Sequence, residues 1–341
     1  MLFYNYGNIF NKPIAGFDLD STIIKTKSGR VFPLDKNDWI FWNECVPKKL
    51  DEISKSHNVI IFSNQMGLSK KKLLEEDLLY KINKIKDALN IPITFIFAPH
   101  NDNFRKPRIG MWNEVKKLYN KINKKKSFYV GDMAGREKCV KLKADRSDSD
   151  YKFALNIGIK FYTPEEFFIG TDTRPKNLKG YKLDYDNKYY TKICKFNKYK
   201  NLILIDGYPG SGKSYLAKKI GIKHLSKDKY GKDIYYKFYK RLEKTKSIII
   251  EGLLNTEKIR NDYIRPALDK CYNITFIKMK TSKDLSKHLN IYRALKNKQK
   301  IIPDIVYNLY NKRYESIDKE KINYIEYYPK IPKNINKYYL F

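Results

Sequence analysis

The stretch NLILIDGYPGSGKS, residues 201–214, joins an apolar run to a glycine-rich loop that ends in Lys213 and Ser214. The loop fits the pattern G-x-x-x-x-G-K-[ST], in which glycines let successive backbone N–H groups and a helix N-terminus face a phosphate. In that pattern the lysine reaches the β- and γ-phosphates of ATP and the serine hydroxyl holds Mg²⁺. The residues predicted to form this site are Gly207, Gly210, Ser211, Gly212, Lys213 and Ser214.

Short apolar runs alternate with helical patterns on both sides of this loop. Apolar spacings of three and four predict a helix over 69–90, and residues 215–222 and 285–298 are also predicted to be helical. This alternation is typical of α/β domains with a parallel sheet, whose ligands bind beyond the carboxyl ends of the strands. The predicted strands are 14–20, 59–64, 93–98, 127–132, 201–206, 247–252 and 274–279.

The chain is long enough for two domains, because its 341 residues exceed what one hydrophobic core usually supports. Residues 173–200 show neither a helical period nor clean strand alternation, and they contain proline and glycine among many charges. We therefore predict two α/β domains with parallel sheets, over 1–172 and 198–341, and a linker over 173–197.

The charge balance indicates a polyanionic partner. Lys and Arg number 70 against 37 Asp and Glu, which gives a formal net charge of +33. Residues 1–170 contribute +10 and the remainder +23. Nucleic acid is the first expectation and an anionic membrane surface the second, although A/T-biased codon usage also enriches lysine.

Other composition signals favour an intracellular protein. No apolar run approaches the roughly 20 residues that span a bilayer, and the N-terminus lacks the features of a signal peptide. The four cysteines are far apart in sequence, which indicates reduced thiols and argues against a zinc site.

Two aspartates, Asp18 and Asp20, stand at the end of the first predicted strand and are expected to face the same side. When two carboxylates lie close together, their repulsion raises the pKa of one of them or favours binding of a divalent cation. Phosphoryl transfer through an aspartyl-phosphate needs such a pair, one as nucleophile and one for proton transfer, together with magnesium. The alternative is that Asp18 and Asp20 belong to a solvated turn without catalytic function. This alternative is less favoured because Ser63, Lys106 and Asp132 end or follow the next three predicted strands.

The acceptor side of the phosphate-binding loop has weaker signals. Asp228 lies 15 residues after Lys213 and can orient an acceptor hydroxyl or simply cap a helix. Glu251 closes an apolar strand, as a metal-supporting acid does in enzymes with this loop. Arg293, on a helix that also carries His288 and several lysines, can close over a transferring phosphate or belong to a solvated basic face.

The first set of motifs resembles the haloacid-dehalogenase phosphatases, and more closely the phosphatase domain of the polynucleotide kinase 3′-phosphatase family. The resemblance covers most of residues 14–168 in family order and implies a haloacid-dehalogenase-like Rossmannoid parallel sheet. The matching stretches are GFDLDSTII, KSGRVFP, VIIFSNQMG, RKPRIGMW, FYVGDMAGR and KFALNIGIKFYTPEEFF.

This resemblance implies roles for individual residues. Asp18 is the nucleophile, and Asp20 is the general acid and then the base. Ser63 and Lys106 hold the phosphate, while Asp18, Asp132 and the Asp20 backbone bind magnesium.

The sequence also departs from the family in places. Ser21 stands where glycine is usual, and Ser63 where threonine is common. Asp145 and Asp150 lie in an acidic patch that the family shares, and the resemblance gives neither a role.

The second set of motifs, GYPGSGKS, SKHLNIYR and IIPDIVYNLY, resembles the P-loop kinase domain of the same family. The resemblance implies Asp228 as the base for a 5′-hydroxyl and Arg293 as a lid arginine. The departure is IEGLLNTE at 250–257, where Glu251 replaces an aspartate and the neighbouring amides shift.

Together the resemblances imply a DNA end-healing enzyme that uses Mg²⁺ and ATP. It removes 3′-phosphates through an aspartyl-phosphate and phosphorylates 5′-hydroxyls, and its phosphatase-first order favours DNA. The alternatives are RNA end repair with the same two activities, a nucleic-acid-binding protein with decayed sites, and a fusion acting on small metabolites.

The expected partners follow from these reactions. They are DNA ends with 3′-phosphate and 5′-hydroxyl termini, ATP, and a ligase that seals the healed ends, with no membrane. The first motif begins almost at once, so the family's N-terminal phosphopeptide-binding module and its scaffold are not expected. The expected location is the nucleus, the cytoplasm or a viral replication site.

Overall fold

The computed structural model describes residues 1–138, 143–175, 190–192, 195–318, 322–331, 335 and 338–341. The chain forms two compact units, one comprising Met1–Lys182 with Tyr338–Phe341 and the other Leu183–Lys337. Tyr338–Phe341 therefore groups with the first unit, whereas the sequence assigned all of 198–341 to the second domain. Of the linker expected over 173–197, residues 176–189 and 193–194 lie outside the described residues.

The first unit is built on a six-stranded sheet. Its elements in chain order are β1 (Leu2–Tyr6), β2 (Ile14–Phe17), β3 (Ile24–Lys25), β4 (Ile40–Phe41), α1 (Val46–Ser54), β5 (Asn58–Asn64), α2 (Met66–Ser69), α3 (Glu75–Leu89), β6 (Ile93–Ala98), α4 (Gly110–Lys117), β7 (Phe128–Val130), α5 (Ser149–Ile157), β8 (Lys160–Tyr162) and α6 (Pro164–Ile169). The strand order in the sheet is β1-β6-β5-β2-β7-β8, and β3 pairs with β4 in a separate hairpin.

Five of these strands run parallel, as the sequence predicted, but β1 pairs antiparallel with β6 at the edge. Residues 2–6 are not among the predicted strands, so β1 adds an antiparallel edge strand to the predicted parallel sheet. Alternate tyrosines of β1 lie against aromatic rings of β6, Tyr4 against Phe97 and Tyr6 against Phe95. Because β1 belongs to no strand–helix–strand unit, nothing forces it to run parallel.

The helix predicted over 69–90 is shorter in the structure. It begins at Glu75, preceded by the separate single turn α2, and ends before Asn90, which has a left-handed φ of 53°. Glu75, Glu76 and Asp77 fill its first turn, where carboxylates interact favourably with the helix dipole.

The second unit contains a five-stranded parallel sheet with the order β10-β11-β9-β12-β13. Its elements are β9 (Asn201–Asp206), α7 (Lys213–Ile220), β10 (His224–Ser226), α8 (Lys227–Tyr230), a 3₁₀ turn (Gly231–Asp233), α9 (Ile234–Leu242), β11 (Ile248–Gly252), α10 (Glu257–Leu268), β12 (Asn273–Met279), α11 (Lys283–Lys296), α12 (Asp304–Lys312) and β13 (Asn323–Tyr327). The predicted strands appear within a residue or two, while the predicted helices 215–222 and 285–298 each begin two residues earlier.

The prediction of two α/β units is thus confirmed. In each unit, the strand that precedes the predicted site residues is a central strand of the sheet. β2 lies between β5 and β7, and β9 lies between β11 and β12. Each central strand is buried throughout, because helices cover both faces of a parallel sheet. No helix in the described chain is both long and apolar enough to cross a bilayer.

Candidate active sites

Asp18 stands one residue beyond the end of β2, at the carboxyl edge of the first sheet. Its backbone N–H donates to the carbonyl of Val130 at 2.9 Å, which continues the pairing of β2 with β7. Asp18 is 8% exposed, whereas Asp20 is exposed. The sequence placed both aspartates within one strand, but β2 ends at Phe17, so strand alternation does not orient Asp20. Ser21, where the family usually has glycine, has a left-handed φ of 61°.

Lys106 is the centre of a buried polar cluster beside Asp18. Its Nζ lies 2.6 Å from Asp18 Oδ1 and 2.7 Å from Asp150 Oδ1, and it donates to the Tyr129 hydroxyl at 2.8 Å. Tyr129 in turn donates to Asp150 Oδ1 at 3.1 Å. The lysine side chain is 2% exposed, so these carboxylates stabilise its charge in place of solvating water.

Three buried carboxylates meet at this edge. Asp18, Asp132 and Asp150 each offer one oxygen, and the three oxygens lie within 4.8 Å of one another. Asp132 Oδ1 is buried and has no hydrogen-bond partner among the residues that the structure describes. Three carboxylate oxygens close together, one of them without a hydrogen-bond donor in the described chain, fit a hard divalent cation such as Mg²⁺.

The electrostatics agree with a cation at this position. Burial raises the pKa of Asp18 to about 7 against the lowering effect of Lys106, and Asp150 raises it further. Burial, together with Asp150 and Asp18, also raises the pKa of Asp132 well above its ordinary value. Such carboxyls bind protons when no other cation neutralises them.

The remaining residues predicted for this site are connected through Gln65. Its Nε2 donates to Asp20 Oδ2 at 2.7 Å and to Ser63 Oγ at 3.1 Å. Ser63 is 2% exposed at the end of β5. Asp18, Ser63 and Lys106 therefore lie buried at the carboxyl edge of the first sheet, and Asp20 lies at the solvent-exposed margin of the same site.

The acidic patch of the sequence divides into two parts. Asp150, at the start of α5, joins the Lys106 cluster, and its Oδ2 also accepts from the Met133 backbone at 3.0 Å. Asp145 instead forms an ion pair with Arg136 at 2.9 Å, and Arg136 reaches Glu165 at 2.7 Å. Asp145 therefore supports the loop after β7.

The second site surrounds the glycine-rich loop between β9 and α7. Gly210 has a φ of 82°, and a Cβ there would lie 2.3 Å from the carbonyl oxygen of Ser286 on α11. Only glycine fits because this backbone angle is left-handed and the helix approaches closely. Gly212 also has a left-handed φ, of 95°, directly before α7 begins at Lys213.

Lys213 and Ser214 hold positions that suit phosphate and magnesium binding. Lys213 Nζ donates to the carbonyls of Gly207 and Tyr208, each at 2.8 Å. Ser214 donates to Glu251 Oε2 at 2.8 Å, and Glu251 is 5% exposed at the end of β11. The hydroxyl and the carboxylate are the oxygen ligands that Mg²⁺ prefers, so this pair fits the ion.

The predicted acceptor residues lie within electrostatic reach of Lys213. Burial lowers the pKa of Lys213 to about 8, opposed by Asp206, Glu251 and Asp228, while Arg293 lowers it further. Asp228 is exposed on the single turn α8, and Arg293 donates to Asn290 Oδ1 at 3.3 Å.

Two features of the second site differ from or add to the sequence expectation. His288 is fully buried, so it lies in the packed side of α11 and not in a basic face. Asp206, for which the sequence predicted no role, is also fully buried and contacts Lys278 at 2.9 Å. Its position at the end of a predicted central strand was a usable signal. Tyr129, inside a buried strand, offered none.

Comparison with known proteins gives matches to both halves. A family described as "Polynucleotide kinase 3 phosphatase" matches residues 13–168. A bifunctional polynucleotide phosphatase/kinase of Schizosaccharomyces pombe is 34% identical over 316 residues, covering 89% of this chain and 76% of that protein.

Two further relatives each match a little under half of the chain. A polynucleotide 3′-phosphatase of Saccharomyces cerevisiae is 30% identical over 215 residues, covering 46% of this chain and 87% of that protein. A 20.8 kDa protein of Autographa californica nuclear polyhedrosis virus is 43% identical over 154 residues, covering 45% of this chain and 84% of that protein.

Proposed function

The chain belongs to the bifunctional polynucleotide phosphatase/kinase family, and we propose that it heals broken DNA ends with two separate sites. The first site removes 3′-phosphates, and the second phosphorylates 5′-hydroxyls with ATP. The observation that carries the proposal is that one chain contains two separate sets of candidate catalytic residues. Lys106 joins Asp18 and Asp150 in the first unit, and Ser214 joins Glu251 beside the phosphate-binding loop in the second.

In the first site, Asp18 attacks the 3′-phosphate, and the bond between phosphorus and the 3′-oxygen breaks. Asp20, at the exposed margin, donates a proton to the departing oxygen. Water then attacks the aspartyl-phosphate, Asp20 takes its proton, and the carboxylate of Asp18 is restored as inorganic phosphate leaves. In this proposal Lys106 and Ser63 hold the phosphate oxygens, as the family resemblance implies.

Magnesium fits the oxygens of Asp18, Asp132 and Asp150 and, by family resemblance, the Asp20 backbone. Bound there, it supplies positive charge that offsets the charge of the phosphate and the carboxylates. Lys106 supplies charge of the same sign from within the protein and keeps Asp18 oriented through their 2.6 Å contact.

In the second site, Asp228 takes the proton of the 5′-hydroxyl, whose oxygen attacks the γ-phosphorus of ATP as ADP leaves. In this proposal Lys213 and Arg293 stabilise the charge of the transferring phosphoryl group. The loop backbone holds the other phosphates, and Ser214 with Glu251 are the residues that fit Mg²⁺.

Support for DNA as the substrate is the phosphatase-first order, and support for a nucleic acid over small metabolites is the charge of +23 after residue 170. The presence of Asp18, Asp20, Lys106, Asp132, Lys213 and Ser214 argues against a binding protein that has lost its activity. We further propose that the enzyme acts inside the cell, where ATP is available, and that a ligase uses its products.

The test uses two matched oligonucleotides, one deoxyribo and one ribo, each with a 3′-phosphate and a 5′-hydroxyl. Both are incubated with Mg²⁺, with and without ATP, and the ends are analysed by mass. We expect loss of the 3′-phosphate in both incubations, gain of a 5′-phosphate only with ATP, and faster reaction on DNA. A preference for the ribo-oligonucleotide would assign the enzyme to RNA repair, and unchanged ends on both would refute the proposal.

A further inference from the structure

The segment Tyr338–Phe341, here called the tail, packs on the first unit although it follows the second in sequence. Its Tyr339 forms a reciprocal pair with the side chain of Asn156 on α5. The Tyr339 N–H donates to Asn156 Oδ1 at 2.8 Å, and Asn156 Nδ2 donates to the Tyr339 carbonyl at 2.9 Å. Leu340 is 2% exposed and anchors the tail in this unit, whereas Tyr338 at its start is exposed.

The same amide connects the tail to the catalytic lysine. Asn156 Nδ2 also donates to the carbonyl of Pro107 at 2.8 Å, and Pro107 directly follows Lys106. One residue further, the buried Arg108 donates from Nε to the carbonyl of Leu340 at 3.2 Å. The tail therefore contacts the segment 106–108 directly through Arg108 and indirectly through Asn156.

A third contact anchors the tail to α5. Lys152 Nζ donates to the main-chain oxygen of Phe341 at 2.8 Å and also pairs with Asp148 at 2.8 Å. The helix that carries Asn156 and Lys152 also carries Asp150, whose carboxylate lies 2.7 Å from Lys106 Nζ. The two segments that the tail joins are thus the two whose side chains meet in the phosphatase site.

We propose that the tail is a positioning element of the phosphatase site. By joining α5 to the segment 106–108, it fixes the distance between Asp150 and Lys106 and so the orientation of Lys106 toward Asp18. The proposal rests on the phosphatase activity proposed above for this site. Without the tail, the Asn156 amide and the buried groups of Arg108 and Lys152 lose partners, and α5 and the lysine segment lose a shared support. Small displacements of catalytic groups lower rates strongly.

The test is a double-mutant cycle in the full chain. The variants are deletion of residues 338–341, Asn156→Ala, and both together. Each is assayed for 3′-phosphatase kcat and KM on an oligonucleotide with a 3′-phosphate, and for kinase rate as an internal measure of active protein. We expect each single change to lower phosphatase kcat about tenfold with little change in KM or kinase rate. In the deletion background, Asn156→Ala should slow the enzyme much less than it slows the wild type, because the bonds to Tyr339 are already gone and only the bond to Pro107 is left to lose.

Two controls separate positioning from a general loss of stability. Leu155→Ala changes an exposed neighbour on α5 and should leave kcat at the wild-type value. Asn156→Asp keeps the acceptor for the Tyr339 N–H but places an anion against two carbonyls, so it should be as slow as Asn156→Ala. If the deletion does not fold, Asn156→Ala assayed well below its unfolding temperature decides the question.

The outcomes are distinguishable. Wild-type kcat in Asn156→Ala and in the folded deletion, with only a lower unfolding temperature, would overturn the proposal, as would fully additive losses in the double variant. Failure of the wild-type chain to release phosphate would instead refute the proposed function of the site.

Discussion

Lys278 Nζ lies 2.9 Å from Oδ2 of Asp206, a carboxylate without exposed surface at the end of β9. The Tyr310 hydroxyl donates to the same oxygen, and the Leu254 N–H donates to Oδ1 at 2.9 Å. Burial and the neighbouring Asp206 raise the pKa of Tyr310, so this hydroxyl remains a donor. One carboxylate therefore ties the strand before the phosphate-binding loop to β12, to α12 and to the segment after Glu251.

Asp206→Asn should destabilise the second unit by about 3 kcal/mol, because it leaves the largely buried Lys278 cation without its anionic partner. Adding Lys278→Met should recover part of that loss, because the unpaired charge is removed as well. The measurement is chemical unfolding followed by a probe of the second unit.

The matched control for this cycle is Lys280→Met, two residues along the chain. Lys280 pairs with Glu326 at 3.4 Å with both side chains more than a third exposed, so its loss should cost at most about 1 kcal/mol. Equal losses in the free energy of unfolding for Asp206→Asn and Lys280→Met would show that the buried network stabilises the unit no more than an exposed ion pair does.

Asp20→Asn should slow removal of a 3′-phosphate from DNA by at least about 100-fold, because the 3′-oxygen needs a proton as it departs. An activated aryl phosphate has a good leaving group, so its hydrolysis should fall far less. The two rates are measured on the same preparation at saturating Mg²⁺. Equal losses on both substrates would assign Asp20 to metal binding instead of proton transfer.

The stability of the first unit without metal should fall as pH rises. The pKa of Asp18 is raised in the fold from 3.8 to about 7, so the folded state binds the proton more tightly than the unfolded chain. Its stabilising effect is complete below about pH 4 and is lost as pH rises through about 7. Asp132 acts with the same sign.

Mg²⁺ competes with these protons, so it should raise the unfolding temperature more at pH 8 than at pH 5. Thermal unfolding with Mg²⁺ and with EDTA checks this, and Asp18→Asn should reduce the pH dependence. Asp51→Asn, in an exposed ion pair with Lys55, serves as the control. A magnesium effect independent of pH would contradict the carboxylate site.

Binding of an oligonucleotide should weaken steeply with salt, because lysines displace counterions from the phosphate backbone. The exposed lysines after Arg293 are the test set: Lys296, Lys298 and Lys300. Changing all three to Gln should lower the slope of log K against log salt, by about 0.7 to 0.9 for each lysine that contacts the strand. Filter binding at several salt concentrations measures the slope.

The control set consists of three exposed lysines that precede β7: Lys121, Lys125 and Lys126. They lie at the amino-terminal edge of the first sheet, away from the carboxyl edge where Asp18 lies. Changing these to Gln should leave the slope unchanged. Equal slopes for both variants and the wild type would attribute the lysines after Arg293 to compositional bias.

Local pattern was enough to predict the central strands and the phosphate-binding loop, because each depends on a short run of residues. It was not enough for β1, whose antiparallel direction depends on pairing with β6 more than eighty residues away. The part played by Asp150 was missed for the same reason, since it meets Lys106 only when α5 packs against the sheet. The contacts of Tyr339 with Asn156 span 183 residues and left no mark in the local sequence.

Two single substitutions test most directly whether one chain contains two independent catalytic sites. A DNA oligonucleotide with a 3′-phosphate and a 5′-hydroxyl is incubated with ATP and Mg²⁺, and both ends are analysed in the same sample. Asp18→Asn should leave the 3′-phosphate in place while the 5′-end is still phosphorylated, because an amide is a poor nucleophile. Lys213→Ala should give the opposite result, because it removes the charge that contacts the β- and γ-phosphates. Loss of both activities in either folded variant would show that the two reactions do not have independent sites.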